Sequence, residues 1–374
     1  MRTTRGAAAP PSRTGAGGPF RGPHVMPASL RYDWLMVALC AWFQAGAYLD
    51  AWAHVHLTEL ESFFTPWHGV LYSGFFAVAA LTAAPLLRRR APGAAWNEAL
   101  PAGYDLSLVG VLAFLLGGVL DMIWHIVFGI EADVEALLSP SHLVLAVGST
   151  LIFTGPLRSA WHRPETGSWR AAMPMMLSAS FLLSSISFWT LYMHPLSRPW
   201  AALGNKPTIP GLAVMAADPI GTKDGLIGAL YIAHGMGVGA ILLQSAVLTG
   251  LVLLVVRRWG GVLPAGGFTI ALTLNALMLG LARDQLVLVP FIAVAGIATD
   301  ALVRWLRADT GVGRLRALAV LVPCVYYACF FVGVAVTKGV WWSVHLWTGA
   351  IVLAGLTGFL TSYLVVPPAS PVRR

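Results

Sequence analysis

Long apolar segments recur along the whole chain, and they restrict its fold more than any other feature. A helix needs about twenty apolar residues to cross the hydrocarbon core of a bilayer, and about ten segments meet that requirement. The predicted spans are residues 34–55, 68–87, 106–128, 142–161, 171–194, 226–256, 262–282, 285–305, 315–336 and 341–365. Only 11% of the 374 residues are charged and 57% are hydrophobic, a composition unlike that of a soluble enzyme. The sequence therefore predicts an all-α, polytopic helical bundle in contact with the lipid bilayer.

Arginine clusters follow every second predicted span and indicate the orientation. They lie at 88–90, 158–170, 257–258 and 304–316. The positive-inside rule then places both termini in the cytoplasm and the acidic loops on the outer side of the cell membrane. We interpret the net charge of +8 as this topology signal, so no nucleic acid partner is expected. Residues 1–30, rich in Gly, Pro, Ala and Arg, predict a disordered cytoplasmic tail.

The segment 120–142 contains the polar residues that point most directly to a function. Asp121 and His125 are four residues apart, so they lie on one face of a helix. An acidic loop follows, and a Ser-Pro pair then begins a new helix whose first turn carries His142. The positive end of that helix keeps the imidazole neutral, as metal ligation requires. The sequence predicts a metal site formed by Asp121, His125 and His142, with Glu135 close enough to join.

The same order of residues occurs about seventy positions earlier. Asp50 and His54 are four residues apart, Glu61 lies in an acidic loop, and a Thr-Pro pair precedes His68. This internal repeat predicts two related metal-binding hairpins. Residues 31–165 would form these four helices, and residues 166–374 would form a further six-helix bundle.

A simpler hypothesis is that each aspartate only forms an ion pair with the histidine four residues later, near the membrane surface. It leaves the repeated order of Asp, His, acidic loop and capped His unexplained, whereas metal ligation gives each part a role. His234, within the outer third of its span, is a further candidate ligand. His194 and His345 are weaker candidates. Asp300, four residues before Arg304, is expected to form an ion pair with it.

The second copy also resembles a known family. Asp121-x-x-Trp124-His125 followed by Ser139-Pro140-Ser141-His142 is similar to the membrane metal-site motif of the C subunit of particulate methane and ammonia monooxygenases, where Asp-x-x-Trp-His is followed by Thr-Pro-Ser-His. In that family the Asp and the two His bind copper, so the resemblance implies that Asp121, His125 and His142 are copper ligands. The first copy keeps Asp50, His54 and His68, but Ala53 replaces the Trp and Trp67 replaces the Ser.

These observations favour a copper-dependent, monooxygenase-like oxidoreductase that acts on an apolar small molecule, alone or with partner subunits or further copies of itself. Two histidines and a carboxylate also suit non-haem iron or zinc. One alternative is a non-catalytic protein that takes up, stores or transfers copper. Another is a membrane zinc hydrolase with Glu135 or Glu61 as general base. A bis-histidine haem protein is a further alternative, but it gives the aspartates no role. The sequence leaves open whether the repeat forms one dinuclear centre or two mononuclear sites.

Overall fold

The computed structural model describes residues 27–57, 64–89, 96–129, 134–163, 168–208, 223–306 and 311–367. Within these ranges the chain is helical, apart from turns and one isolated β-bridge between Ala202 and Val340. The α-helices are α1 (Leu30–His56), α2 (Pro66–Arg89), α3 (Trp96–Ala99), α4 (Asp105–Phe128), α5 (Glu135–Leu138), α6 (Pro140–Phe153), α7 (Gly155–Trp161), α8 (Trp169–Trp189), α9 (Lys223–Trp259), α10 (Gly267–Ala282), α11 (Val289–Leu306), α12 (Val312–Thr337) and α13 (Val344–Val365).

Eight helical segments in the described ranges are long and apolar enough to cross a membrane: α2, α4, α6 with α7, α8, α9, α11, α12 and α13. The other two predicted spans are also helices. α1 has 27 residues, but its aspartates, glutamine and histidines make it more polar. α10 has only 16 residues. The chain is therefore a multi-pass helical protein, and the expected count of ten spans stays a prediction.

Two helical hairpins bring the repeated motifs into the bundle. In the first, α1 packs on α2 so closely that a Cβ at Gly46 would lie 2.6 Å from Leu71 Cα. In the second, α4 packs on α6, and a Cβ at Gly148 would lie 2.6 Å from the backbone nitrogen of Phe114. Since any side chain at either glycine would overlap the facing backbone, both hairpins depend on glycine for their short interhelical distance.

An aromatic core joins the two hairpins. The ring of Phe43 in α1 lies 4.8 Å from that of Phe114, 5.1 Å from that of Phe153 and 5.9 Å from that of Phe75, measured between centroids. All four side chains are buried. α8 then packs against α1 and α6 and connects the hairpins to the remaining helices. The proposed boundary at residues 165 and 166 stays a prediction.

A buried carboxylate ties the start of α1 to the region around α7. Asp33, fully buried, accepts hydrogen bonds from the Tyr104 hydroxyl at 2.6 Å and the Ser159 hydroxyl at 3.2 Å, and it pairs with Arg163. Because each carboxylate oxygen has a donor, the cost of burying the charge is offset in part. This network fixes α1 at the end opposite to Asp50.

Three predicted details differ in the structure. The span expected at 142–161 is interrupted at Thr154, where α6 ends and α7 begins with a proline in its first turn. The span expected to reach His194 ends at Trp189. Asp300, expected to pair with Arg304, instead caps α10: it accepts hydrogen bonds from the backbone amides of Phe268 and Thr269 at 3.2 and 2.9 Å.

His194 lies in the irregular segment after α8 and is almost completely buried. Its Nδ1 accepts a hydrogen bond from the Leu196 amide at 3.1 Å. Burial lowers the pKa of His194 to about 3. This neutral, enclosed imidazole therefore stabilises a turn and is not one of the ligands that the sequence suggested.

His194 is expected to make the protein less stable in acid. The unfolded chain gains a proton at this residue below its ordinary pKa of about 6.5, whereas the folded chain stays neutral down to the lowered pKa. The free energy of unfolding should thus fall as the pH decreases from about 6.5 towards 3, by about 2 kcal/mol at pH 5. Thermal unfolding in detergent at a series of pH values measures this fall in the free energy of unfolding. His194→Asn keeps an acceptor for the Leu196 amide and should show a flatter profile below pH 6.5; identical profiles would contradict the assignment.

Candidate metal centre

The Asp121 cluster is formed where α4 ends and α6 begins. His125 Nε2 lies 3.5 Å from one carboxylate oxygen of Asp121, and His142 Nε2 lies 3.3 Å from the other. Ser139 caps α6, and its hydroxyl accepts a hydrogen bond from the backbone amide of His142. The short helix α5 ends directly before this cap. The local structure that the sequence predicts thus brings all three side chains together.

The Asp50 cluster has nearly the same dimensions. One carboxylate oxygen of Asp50 lies 3.7 Å from His54 Nε2 and 3.4 Å from His68 Nε2. The ring centroids of His54 and His68 are 6.1 Å apart, compared with 5.9 Å for those of His125 and His142. The internal repeat itself stays a prediction, but both copies of the motif form a compact group of one carboxylate and two imidazoles.

The distances within the clusters are long for charge-assisted hydrogen bonds and are compatible with shared coordination of one ion. Charge-assisted hydrogen bonds between nitrogen and oxygen are about 2.7–2.9 Å long. Two ligands held at about 2.0–2.1 Å from one ion, at a tetrahedral angle, lie about 3.4 Å apart. The aspartate–histidine distances are 3.3–3.7 Å, and the three candidate ligand atoms of each cluster lie within 4.8 Å of one another. The aspartate–histidine distances therefore match shared coordination, and the three donors of each cluster could hold one metal ion.

The opposite nitrogens of three imidazoles are held by neighbouring groups. His125 Nδ1 lies 3.3 Å from the carbonyl oxygen of Gly129, and His142 Nδ1 lies 2.7 Å from the hydroxyl of Ser139. In the first hairpin, His68 Nδ1 lies 3.3 Å from the hydroxyl of Thr65. A carbonyl can only accept, so the contact with Gly129 requires a proton on Nδ1 of His125, and in the neutral ring this leaves Nε2 available as a metal ligand. This arrangement is typical of histidines that bind metals.

Both clusters face one cavity of about 570 Å³. All six candidate ligands line it, and the aromatic core closes part of its wall through Phe43, Phe114 and Phe153. The cavity thus combines two groups of metal donors with an apolar surface.

Four further residues belong to this region and were not identified from the sequence. The Ser141 hydroxyl donates a hydrogen bond of 2.9 Å to Asp121, and the Ser-Pro-Ser-His motif could have indicated this. Tyr72 follows His68 by one helical turn, and the centroids of their rings are 6.2 Å apart; Tyr72 also lines the cavity. Arg283 and Gln44 also line it. No pattern of spacing in the sequence connects these last two residues to the motifs.

The other predicted site residues lie elsewhere. Glu135 is exposed at the start of α5 and is not a member of either cluster. Glu61 falls outside the described residues. His234 stacks on Trp341, with ring centroids 4.6 Å apart, and His345 is exposed at the start of α13. The candidate metal centre therefore consists of the two aspartates and the four histidines of the hairpins.

Comparisons of the chain with protein-family models, with curated proteins and with solved structures found no match.

Proposed function

We propose that this multi-pass membrane protein binds copper at the Asp50–His54–His68 and Asp121–His125–His142 clusters and acts as an oxidoreductase on an apolar small molecule. The observation that carries the proposal is that both donor groups face one cavity with a partly aromatic wall. A purely structural pair of Asp–His contacts would not need six convergent donors around a cavity.

The choice of copper follows from the donors and from the motif. Two imidazoles and one carboxylate suit copper(II), non-haem iron(II) and zinc, and the resemblance of the second copy to the monooxygenase C subunit favours copper. Bound copper would supply one-electron redox chemistry with dioxygen at this site.

The residues of this chain have separate roles in the proposal. Asp50 and Asp121 each offset part of the cation's charge in a weakly hydrated place, and the histidines complete the coordination. Phe43, Phe114 and Phe153 hold an apolar molecule beside the donors and limit the access of water. By the distribution of the arginines, the cavity would lie towards the outer side of the membrane.

The metal content of the purified full-length protein tests the proposal. After copper loading and dialysis, the wild type should retain copper with the paramagnetic resonance signal of nitrogen and oxygen ligation. His125→Ala/His142→Ala should lose at least half of the bound metal, because the Asp121 cluster keeps only its carboxylate. His345→Ala, which removes an exposed histidine outside both clusters, is the matched control.

The outcomes separate the alternatives. No retained metal after loading with copper, iron or zinc would refute the proposal. Selective retention of zinc would favour a hydrolase, and retention of copper without oxidation of any apolar substrate would favour copper storage or transfer.

A further inference from the structure

A second, smaller cavity lies beside the metal cavity. It has a volume of about 250 Å³ and lies between α1, α8 and α10. We call it the side groove. On α1 its wall ends at Gln44, which also lines the metal cavity. On α8 its wall ends at Ser184, and the next residue, Ser185, lines the metal cavity. The two cavities therefore follow one another along the same pair of helices.

The accessible surface of the side groove is almost entirely apolar, although several residues of its wall are polar. The side-chain oxygen of Gln44 has no accessible surface. Donors in the wall are directed at protein oxygens: Trp34 Nε1 at the carbonyl of Arg170 at 3.1 Å, the Ser180 hydroxyl at the carbonyl of Ala271 at 3.0 Å, and the Ser184 hydroxyl at that of Tyr48 at 3.2 Å. These polar groups are thus engaged within the protein and leave hydrocarbon at the surface of the groove.

This apolar surface decides which molecules the side groove can hold. Water or a ligand with a hydroxyl group would give up hydrogen bonds to bulk water and meet an apolar wall. A hydrocarbon gives up none and gains dispersion contacts with the wall. Dry apolar cavities of about 150 Å³ are large enough for benzene or xenon. The side groove, at about 250 Å³, therefore has room for a molecule of that size.

The side groove reaches the outer surface of the bundle at α1. Ala38 and Ala41 belong to its wall, and both are exposed. Small side chains at the contact between membrane helices leave space that larger ones would fill. Because hydrocarbons prefer the bilayer core to water, they would arrive at this opening from the lipid.

We propose that the side groove binds small hydrocarbons, up to about the size of benzene, and supplies them to the metal cavity past Gln44. The inference rests on the proposed function, for which it names the substrate class: a hydrocarbon without a hydrogen-bonding group. The groove selects this class by its apolar wall before the molecule meets the metal ligands.

The binding of two probes to the purified full-length protein in detergent tests the substrate class. Fluorobenzene lacks a hydroxyl, 4-fluorophenol adds one to the same ring, and fluorine NMR titration gives the affinity of each. Only binding that Ala41→Phe removes is counted, since this substitution fills the groove. Fluorobenzene should bind saturably and 4-fluorophenol at least about tenfold more weakly, because its hydroxyl would be desolvated against hydrocarbon. Equal affinities, or no saturable binding of fluorobenzene, would overturn the inference.

A matched pair of variants tests the location. Ala41→Phe should abolish the binding of fluorobenzene, whereas Ala45→Phe should leave it within about twofold of the wild type. Ala45 is exposed one turn further along α1 and lines neither cavity. Equal losses in the two variants would place the binding elsewhere and contradict the proposal. If Ala41→Phe does not fold, Leu274→Trp narrows the groove from α10 and serves the same comparison.

Metal loading keeps this inference apart from the proposed function. Ala41 lies about 14 Å from Asp50 along α1. Paramagnetic copper(II) in the clusters should therefore broaden the fluorine signal of bound fluorobenzene, and diamagnetic zinc should not. No broadening in a protein that retains copper would refute the supply of hydrocarbons to the metal cavity. A protein that binds fluorobenzene in the groove but retains no metal would refute the proposed function and leave the binding site in place.

Discussion

Asp121→Asn is expected to release one metal ion per chain and to leave the other in place, and Asp50→Asn should release the opposite ion. Asparagine keeps the size of the side chain and an acceptor for the Ser141 hydroxyl, but it lacks the negative charge that the cation needs in a buried site. We expect an affinity at least about tenfold lower at the altered cluster. Metal-to-protein ratios after dialysis, measured by mass spectrometry, give the result.

The same pair of variants distinguishes two mononuclear sites from one dinuclear centre. If the clusters share a single centre, either substitution should remove both ions, because each ion would depend on ligands of both hairpins. Asp105→Asn is a suitable control: it changes an exposed aspartate at the start of the same helix, about 24 Å from Asp121 along the axis. Full metal retention in all three variants would contradict the ligand assignment.

Asp33→Ala is expected to cause the largest loss of stability, about 3 kcal/mol or more. The substitution leaves the buried Tyr104 hydroxyl without its acceptor and the Arg163 guanidinium without its counter-ion. The midpoint of unfolding by sodium dodecyl sulfate, added to the detergent-solubilised protein, measures the change. Metal content should stay at the wild-type level wherever the variant is folded, since Asp33 lies about 25 Å from Asp50 along α1.

A double-mutant cycle shows whether the effect comes from the ion pair. Arg163→Ala should also destabilise, because it leaves the carboxylate buried without its cation. The double variant Asp33→Ala/Arg163→Ala should lose clearly less than the sum of the two single changes. Additive losses would indicate that packing and not the charge pair is responsible.

The sequence predicted the helical class, and it predicted that one aspartate and two histidines come together within each hairpin, because both depend on local patterns. The four-residue spacing of Asp121 and His125 and the capped turn before His142 fix their directions within one hairpin. The correspondence of the first hairpin extends the same argument to Asp50, His54 and His68. These features need no knowledge of how distant helices pack.

Features that depend on contacts between distant helices could not be predicted in this way. Gln44 is buried because α8 and α10 pack beside α1, and Asp300 caps a helix that begins more than thirty residues earlier. The position of His194 followed from the early end of α8, which hydropathy alone does not reveal. His234 lies within a helix, as predicted, but its ring stacks on Trp341 and is not part of either cluster.

The hydroxyl of Ser141 makes the two clusters unequal. It donates a hydrogen bond to Asp121, whose side chain is 2% exposed. In the first hairpin Trp67 occupies the corresponding position and packs on Trp52, and the side chain of Asp50 is 14% exposed. The carboxylate of Asp121 is thus held by a hydrogen bond and nearly inaccessible to solvent, whereas that of Asp50 is more exposed and less constrained. The two copies of the motif are therefore unequal, and under the proposed metal binding the two clusters would take up cations in a defined order.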